Sequence, residues 1–346
     1  MVAIKPLASV TLGNLQYTEQ AVAITATLAL LPAVNAVTVT LPAGVRFEAA
    51  PDDDGVLELD SGDADGAGAD TIVTGKVRAI RRTPRAVEAT IGDAGAELAR
   101  YRPAGTYEKS SAADVIRALA GEADASVASI DIDLPLAAYV AHQARTAAEH
   151  VATLAAWGGG FAGVNGDGEL FVMQLPEGQP ELALRWGREL IDYEVRELPS
   201  TSAKRLRVGF GTAGSESAPE ALRPSVDPLP ADSPTPGMDA IWMAAPALRV
   251  PKAAATASAA ADAFAAAEGK RVRARCYLQP QLRPGMVIEV QDTPDGLSGG
   301  PWIITRVTHR LRPAYGGLTT FEAVTGEGGG LGDLLAAALG ALGSLF

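Results

Sequence analysis

The chain has 346 residues, 47% of them apolar and 20% charged, with a formal net charge of -12 at neutral pH. That length leaves room for two or three domains with ample core, and the composition is that of a soluble globular protein. The acidic balance argues against tight phosphate-backbone binding, which needs Lys and Arg to neutralise phosphates, so no stable nucleic-acid binding is expected, although nucleic acid would slide past an acidic wall without sticking.

The single Cys276 cannot form an intrachain disulfide, so nothing points to an oxidising compartment. The N-terminus, MVAIKPLASVTLGNLQY, lacks the basic start and apolar run of a signal peptide, and synthesis in the cytoplasm is expected. No apolar stretch reaches the roughly 18 residues that a membrane span needs, so none is expected.

In chain order, residues 7 to 100 read as β. Val34 to Leu41 and Ile72 to Ile80 alternate apolar and polar, and Val87 to Ile91 completes a hairpin with the second run. An acidic, Gly-rich loop, PDDDGVLELDSGDADGAGAD, is expected between them. Ser111 with Asp114 three residues later predicts a capped helix carrying Val115, Ile116 and Leu119, which Gly121 can end. A second helix is predicted from Thr146, with Glu149 at its third position, to Trp157, stopping at Gly158-Gly159-Gly160. Two short strands around an Asn165-Gly166 turn follow. Residues 183 to 211 return to β, 213 to 240 read as a long surface loop, and 251 to 268 as a helix with Pro251 in its first turn. Strands resume from 271 to 325, and the tail GGGLGDLLAAALGALGSLF reads as a Gly-hinged apolar helix.

Two segments read as copies of one unit. LPAGVRFE, Leu41 to Glu48, matches LRPGMVIE, Leu282 to Glu289, at Leu, Gly and Glu. Each is followed by a basic strand ending at a Pro (KVRAIRRTP, RVTHRLRP) and a returning strand (AVEATIG, LTTFEAVTG). The alternative is that β-hairpins share generic turns. Two copies per chain in a ring of three chains would present six similar surfaces.

The candidate chemistry is thin. Asp63, Asp65 and Gly66 fit part of an EF-hand loop, but the required final Glu falls at Ile72. His142 and His150 match no metal-ligand spacing, and no metal is expected. Cys276 and His309 could be imagined as nucleophile and base, yet both lie on alternating strands where a lone Cys is usually core. With 41 acidic residues, paired carboxylates of a glycosidase carry no signal, and no Gly-rich run has the form of a phosphate loop. No catalytic residue and no cofactor is assigned.

Four stretches together resemble a known family: Arg100 to Ala123, Tyr139 to Met173, Leu282 to Val290, and Gly299 to Pro313. Their order, barrel, helix-rich insert, barrel, is similar to the baseplate hub proteins of contractile phage tails and phage-tail-like injection systems. These are the late control D-like family, related to the N-terminal hub part of type six secretion spikes. The resemblance covers most of residues 5 to 326 and rests on packing and turn patterns.

It implies an α+β, mainly β fold: two related tube-like β-barrels, an inserted α/β subdomain and a C-terminal apolar helix. The boundaries expected are 1–106 for the first barrel, 107–178 for the insert, 179–326 for the second barrel and 327–346 for the tail. It implies a non-enzymatic structural hub and symmetry adaptor, a homotrimer forming a pseudo-sixfold ring in the tail baseplate of a virion or injection particle. The partners implied are the tail tube protein, the spike protein, baseplate wedge proteins, and the tape measure protein or cargo in the lumen. Type six spikes continue into a β-helical needle, whereas this sequence ends at Phe346, so a separate spike is expected. Leu331, Leu335, Leu342 and Leu345 form an apolar stripe that, with Leu334, Leu339 and Phe346, is a candidate interface for the trimer or a partner. The rival functions are a tail-associated peptidoglycan hydrolase and a carbohydrate-binding tail module. The second would be marked by clustered aromatics, which are sparse here.

Overall fold

The computed structural model describes residues 6–62, 68–175, 179–198, 204–208, 240–294, 299–312 and 316–326. The apolar tail 327–346 and nearly all of the long loop expected at 213–240 lie outside these residues. The described chain is mainly β, as the sequence leads one to expect, with four helices among the described residues.

The first β unit comprises β1 (Leu7–Leu12), β2 (Leu15–Tyr17), β3 (Ala23–Ala29), β4 (Ala36–Pro42), β5 (Asp54–Asp60), β6 (Asp70–Arg82) and β7 (Ala86–Gly92). All pair antiparallel in the order β3-β4-β7-β6-β5-β1-β2. Period-two alternation turns Val37, Val39 and Leu41 of β4 and Val87, Ala89 and Ile91 of β7 to one buried face. The acidic stretch expected to be a loop is in part a strand. Within β5, Leu57 and Leu59 are fully buried between β1 and β6, and burying two leucines stabilises by about 3–6 kcal/mol in total. The short alternation VLEL thus overrides its acidic surroundings.

The second unit contains β13 (Leu182–Arg185), β14 (Leu190–Glu197), β17 (Lys270–Tyr277), β18 (Val287–Gln291), β19 (Gly299–Arg312) and β20 (Gly316–Thr325). Its neighbour order, β14-β17-β20-β19-β18-β13, repeats β3-β4-β7-β6-β5-β1 strand for strand. One difference is that β13 runs parallel to β18, whereas β1 is antiparallel to β5. The two units are fused into a single ladder because the C-terminal half of β19 pairs with β3, from Arg306 opposite Ala29 to Leu311 opposite Ile24. They share one apolar core, in which Ile24 and Leu28 join Val307 and Phe321. Among the described residues, no pairing closes this ladder on itself within one chain.

The repeat is therefore present, but in a different alignment from LPAGVRFE against LRPGMVIE. A bulge falls between Val77 and Ala79 in β6, and another between Ile304 and Arg306 in β19. Val77 accepts from Asp52 N (2.8 Å) and donates to Asp53 O (2.8 Å). Ile304 likewise accepts from Gly285 N (2.7 Å) and donates to Met286 O (2.9 Å). Asp52 and Gly285 both adopt left-handed backbone, φ 72° and 93°. Pro284-Gly285-Met286 is thus the counterpart of Pro51-Asp52-Asp53, and Leu41 lies on β4 rather than opposite Leu282. Asp is one of the few residues besides Gly that tolerate this conformation, and the substitution hides the match from a letter-by-letter comparison.

Between the units lie α1 (Ala94–Arg100), β8 (Gly105–Ser111), α2 (Ala112–Glu122), β9 (Val127–Ile130), β10 (Pro135–Ala141), α3 (Ala147–Trp157), β11 (Gly160–Val164) and β12 (Leu170–Gln174). Both expected capping boxes form, at Ser111/Asp114 and Thr146/Glu149. Gly121 does not end α2, which continues to Glu122, and Gly158 caps α3. Helix α1 lies within the stretch read as all β. Asp93 caps its N-terminus, and Ala94 and Leu98, one turn apart, face the core. The insertion between β14 and β17 carries the parallel pair β15 (Lys204–Val208) and β16 (Ala240–Ala244), then α4 (Pro251–Ala267), with Pro251 in its first turn. Buried alanines 253, 254 and 257 let α4 approach the core formed by α1, α2 and α3.

Candidate functional site

No sequence-nominated residue pair forms a reactive centre, whereas residues that the sequence did not single out form the joint between the three parts. Asn35 sits fully inside this joint. Its Oδ1 accepts from Ala29 N (2.9 Å), and its Nδ2 donates to Asp93 Oδ2 (2.7 Å) and to the Val164 carbonyl (3.3 Å). One side chain thereby ties β3, the start of α1 and strand β11. Asp93 Oδ1 accepts from Gly95 N (2.9 Å). Burial pushes the Asp93 carboxyl up to about 6, although the donors from Asn35 and Gly95 act the other way.

Arg283 makes the second tie. It reaches from the second unit to the Thr71 carbonyl of β6 (Nη2 to O, 2.8 Å) and also donates to the carbonyls of Pro280 and Leu282. Burial lowers its pKa. The turn from Asn165 to Glu169 presses on the same strand. A Cβ on Gly166 would lie 2.4 Å from Thr71 O, and one on Gly168 2.4 Å from Thr74 O. Gly166 is thus required by close backbone approach rather than by a two-residue hairpin turn, since the connection between β11 and β12 runs over five residues closed by Asn165 Oδ1 on Glu169 N (2.9 Å). These contacts hold the units and the insert in one relative placement.

The nominated pairs resolve as follows. Tyr139 Oη lies 2.7 Å from His150 Nδ1, and His150 Nε2 lies 3.1 Å from the His142 carbonyl. The consistent assignment has Tyr139 donating to Nδ1 and the Nε2 proton going to His142 O, which commits both ring nitrogens of this buried histidine. Among the described residues, no three His, Cys, Asp or Glu side chains are grouped to hold a metal. Cys276 and His309 do converge, on either side of Thr319. The Cys276 thiol is 3.5 Å from Thr319 O, and His309 Nδ1 is 2.9 Å from Thr319 Oγ1. Both are fully buried. Burial pushes the thiol up to about 12 and the imidazole down to about 3, the reverse of what an activated nucleophile and its base need. Asp63, Asp65 and Gly66 lie outside the described residues, while Ile72 is a core residue of β6. The tail residues Leu331, Leu334, Leu335, Leu339, Leu342, Leu345 and Phe346 also lie outside them.

What the described surface offers is sheet edge. Strand β14 pairs with β17 on one side, and on its opposite side, among the described residues, only Leu190 is bridged, to Trp186. Strand β6 is covered by β5 only as far as Lys76, leaving the edge from Arg78 to Arg82 open. Open edges carry unpaired amides and carbonyls that invite a further strand. No helix among the described residues is long and apolar enough to cross a membrane.

No family model and no curated protein sequence matches the chain. Solved structures do. The prophage MuSo2 43 kDa tail protein of Shewanella oneidensis aligns over 92% of this chain and 98% of its own, with TM-score 0.66 and 13% identity. A tail protein of Neisseria meningitidis MC58 aligns over 94% and 98%, with TM-score 0.68 and 12% identity. The E. coli c3393 protein aligns over 91% of this chain and 76% of its own, with TM-score 0.62 and 12% identity. It is described as a component of the type VI secretion system with structural similarity to the T4 bacteriophage tail proteins gp27 and gp5. The chain therefore shares the fold of these tail proteins and of this secretion-system component.

Proposed function

We propose that the chain is a structural, non-enzymatic hub of a contractile tail baseplate. Three copies form a pseudo-sixfold ring that joins the hexameric tail tube to the central spike and surrounds the lumen. The observation that carries this reading is the repeated strand order, two units per chain fused in one ladder, in a fold shared with tail proteins and a secretion-system component. Three copies of two similar units match a sixfold partner on one face and a threefold partner on the other. The two β units are the ring-forming parts, the segment between them is the insert, and the leucines of 327–346 are the surface for the trimer or for a spike or tape measure protein. Tail tube, spike and wedge proteins are the partners, and the site of action is the baseplate of a virion or injection particle.

Light scattering on the purified protein tests this. A mass near three times 35.5 kDa is expected. A monomer persisting at high concentration, alone and with the spike protein, would refute the ring.

A further inference from the structure

The internal seam predicts the intermolecular one. Within the chain, β3 of the first unit adds to the open half of β19 in the second. The strand equivalences make β14 the counterpart of β3, and β6 the counterpart of β19. Among the described residues both counterparts keep an open edge, as do β2 and β13. Strand β14 is a terminal strand of the ladder whose outer side is bridged only at Leu190, by Trp186, and β6 is open only beyond the part that β5 and the Asp52–Asp53 corner cover. One such edge of each kind is what a head-to-tail ring requires.

The geometry points to an antiparallel pairing between β14 of one copy and the segment Ala79 to Arg82 of β6 in a second copy, repeating between chains the β3–β19 junction. The inference rests on the ring reading above and assigns its contact. Matching the ladders at the shared bulge sets Arg82 in the place of His309. Matching β14–β17 to β3–β4 sets Val195 in the place of Ala26. His309 faces Ala26 in the internal seam, so Arg82 faces Val195 across the new one. Ile80 then falls opposite Glu197, and Arg81 opposite Arg196.

Three properties of the edges fit this partner. Ile80 and Val195 pack only partly buried against the core, and Leu198 at the end of β14 is 46% exposed, so a neighbouring strand would remove apolar surface from water. The β6 segment carries Arg78, Arg81 and Arg82, whereas β14 carries Asp192, Glu194 and Glu197. In this register Glu197 is the diagonal neighbour of Arg82, and Glu194 that of Arg81, within reach of such long side chains. The one like-charged pair, Arg81 and Arg196, is compensated within each chain, since Arg81 binds Glu88 (2.7 Å) and Arg196 binds Glu194 (3.5 Å).

The test is a cysteine pair. Residues directly opposite in an antiparallel pair hold their Cβ atoms about 4.5–5.5 Å apart, which small strand shifts bring into disulfide range. The buried Cys276 is no competitor. The full chain carrying Arg82→Cys and Val195→Cys is oxidised mildly and run without reductant, beside each single variant and the shifted pair Arg82→Cys with Glu194→Cys. The expected result is covalent dimer and trimer bands from the first pair only, lost on reduction. A trimer by light scattering with no covalent bands would overturn this contact while leaving the ring intact. Bands of equal strength from the shifted pair would also overturn it. A monomer without bands would remove both readings.

Discussion

Replacing Asp93 by Asn tests the joint because it removes one charge and keeps the shape. The Asn35 amide cannot turn to suit the new side chain, since its Oδ1 already holds Ala29 N. Either orientation of the new amide then sets a donor against a donor, at Asn35 Nδ2 or at Gly95 N. A lost buried hydrogen bond with an unsatisfied partner costs about 1–3 kcal/mol. Against this stands the cost of ionising the buried acid. A pKa raised from 3.8 to about 6 corresponds to about 3 kcal/mol at full ionisation. The folded pKa lies above the unfolded one, so the stabilisation is complete below about 3.8 and is lost as pH rises through about 6. The asparagine variant has no such loss. Its deficit relative to the parent should therefore be greatest in acid, and shrink by about 1.4 kcal/mol between about pH 5 and about pH 7.5. Urea unfolding of both proteins across that range measures the difference, in which the other titrating groups cancel. A deficit independent of pH would refute the assignment of Asp93 as a buried, raised acid.

Other outcomes follow from the same geometry. Cys276 should resist thiol reagents in the native protein and react at once in urea, because its thiol is buried and held protonated. His309 has its pKa lowered to about 3, so it supports stability above its ordinary value near 6.5 and withdraws that support as pH falls towards 3. His309→Asn should flatten the acid limb of the stability profile, measured by thermal unfolding against pH. Leu57→Ala should destabilise by about 2–5 kcal/mol in chemical denaturation if β5 is the core strand described, and by almost nothing if the segment were an exposed loop. Gly166→Ala should loosen the contact of the β11–β12 turn with β6, seen as faster amide exchange across both, because its Cβ would meet a backbone carbonyl that cannot move aside.

The features legible in the sequence were those set by neighbours a few residues apart. The capping boxes at Ser111 and Thr146, Pro251 opening α4, and the alternation of β4 and β7 all act through local backbone geometry, and they formed where the pattern places them. Local signals also failed where two competed, as when four alternating residues of β5 lay in acidic, loop-like surroundings, or when the short α1 lay inside a β region. Two copies of a unit could be suspected from the sequence, but their alignment could not be read. What matches is a left-handed corner and a bulge, and Asp52 satisfies the same backbone demand as Gly285.

Long-range placement was decided by the tertiary structure alone. Nothing near Asn35 or Arg283 announces that one will bind a helix cap 58 residues on, or that the other will bind a strand carbonyl 212 residues back. Their value lies in satisfying buried polar groups that come together only once both units have folded. The same holds for the open edges of β6 and β14. Alternation of side chains says which face of a strand is buried, but only the strand pairing shows that, among the described residues, β14 beyond Leu190 and β6 from Arg78 onward take no further strand.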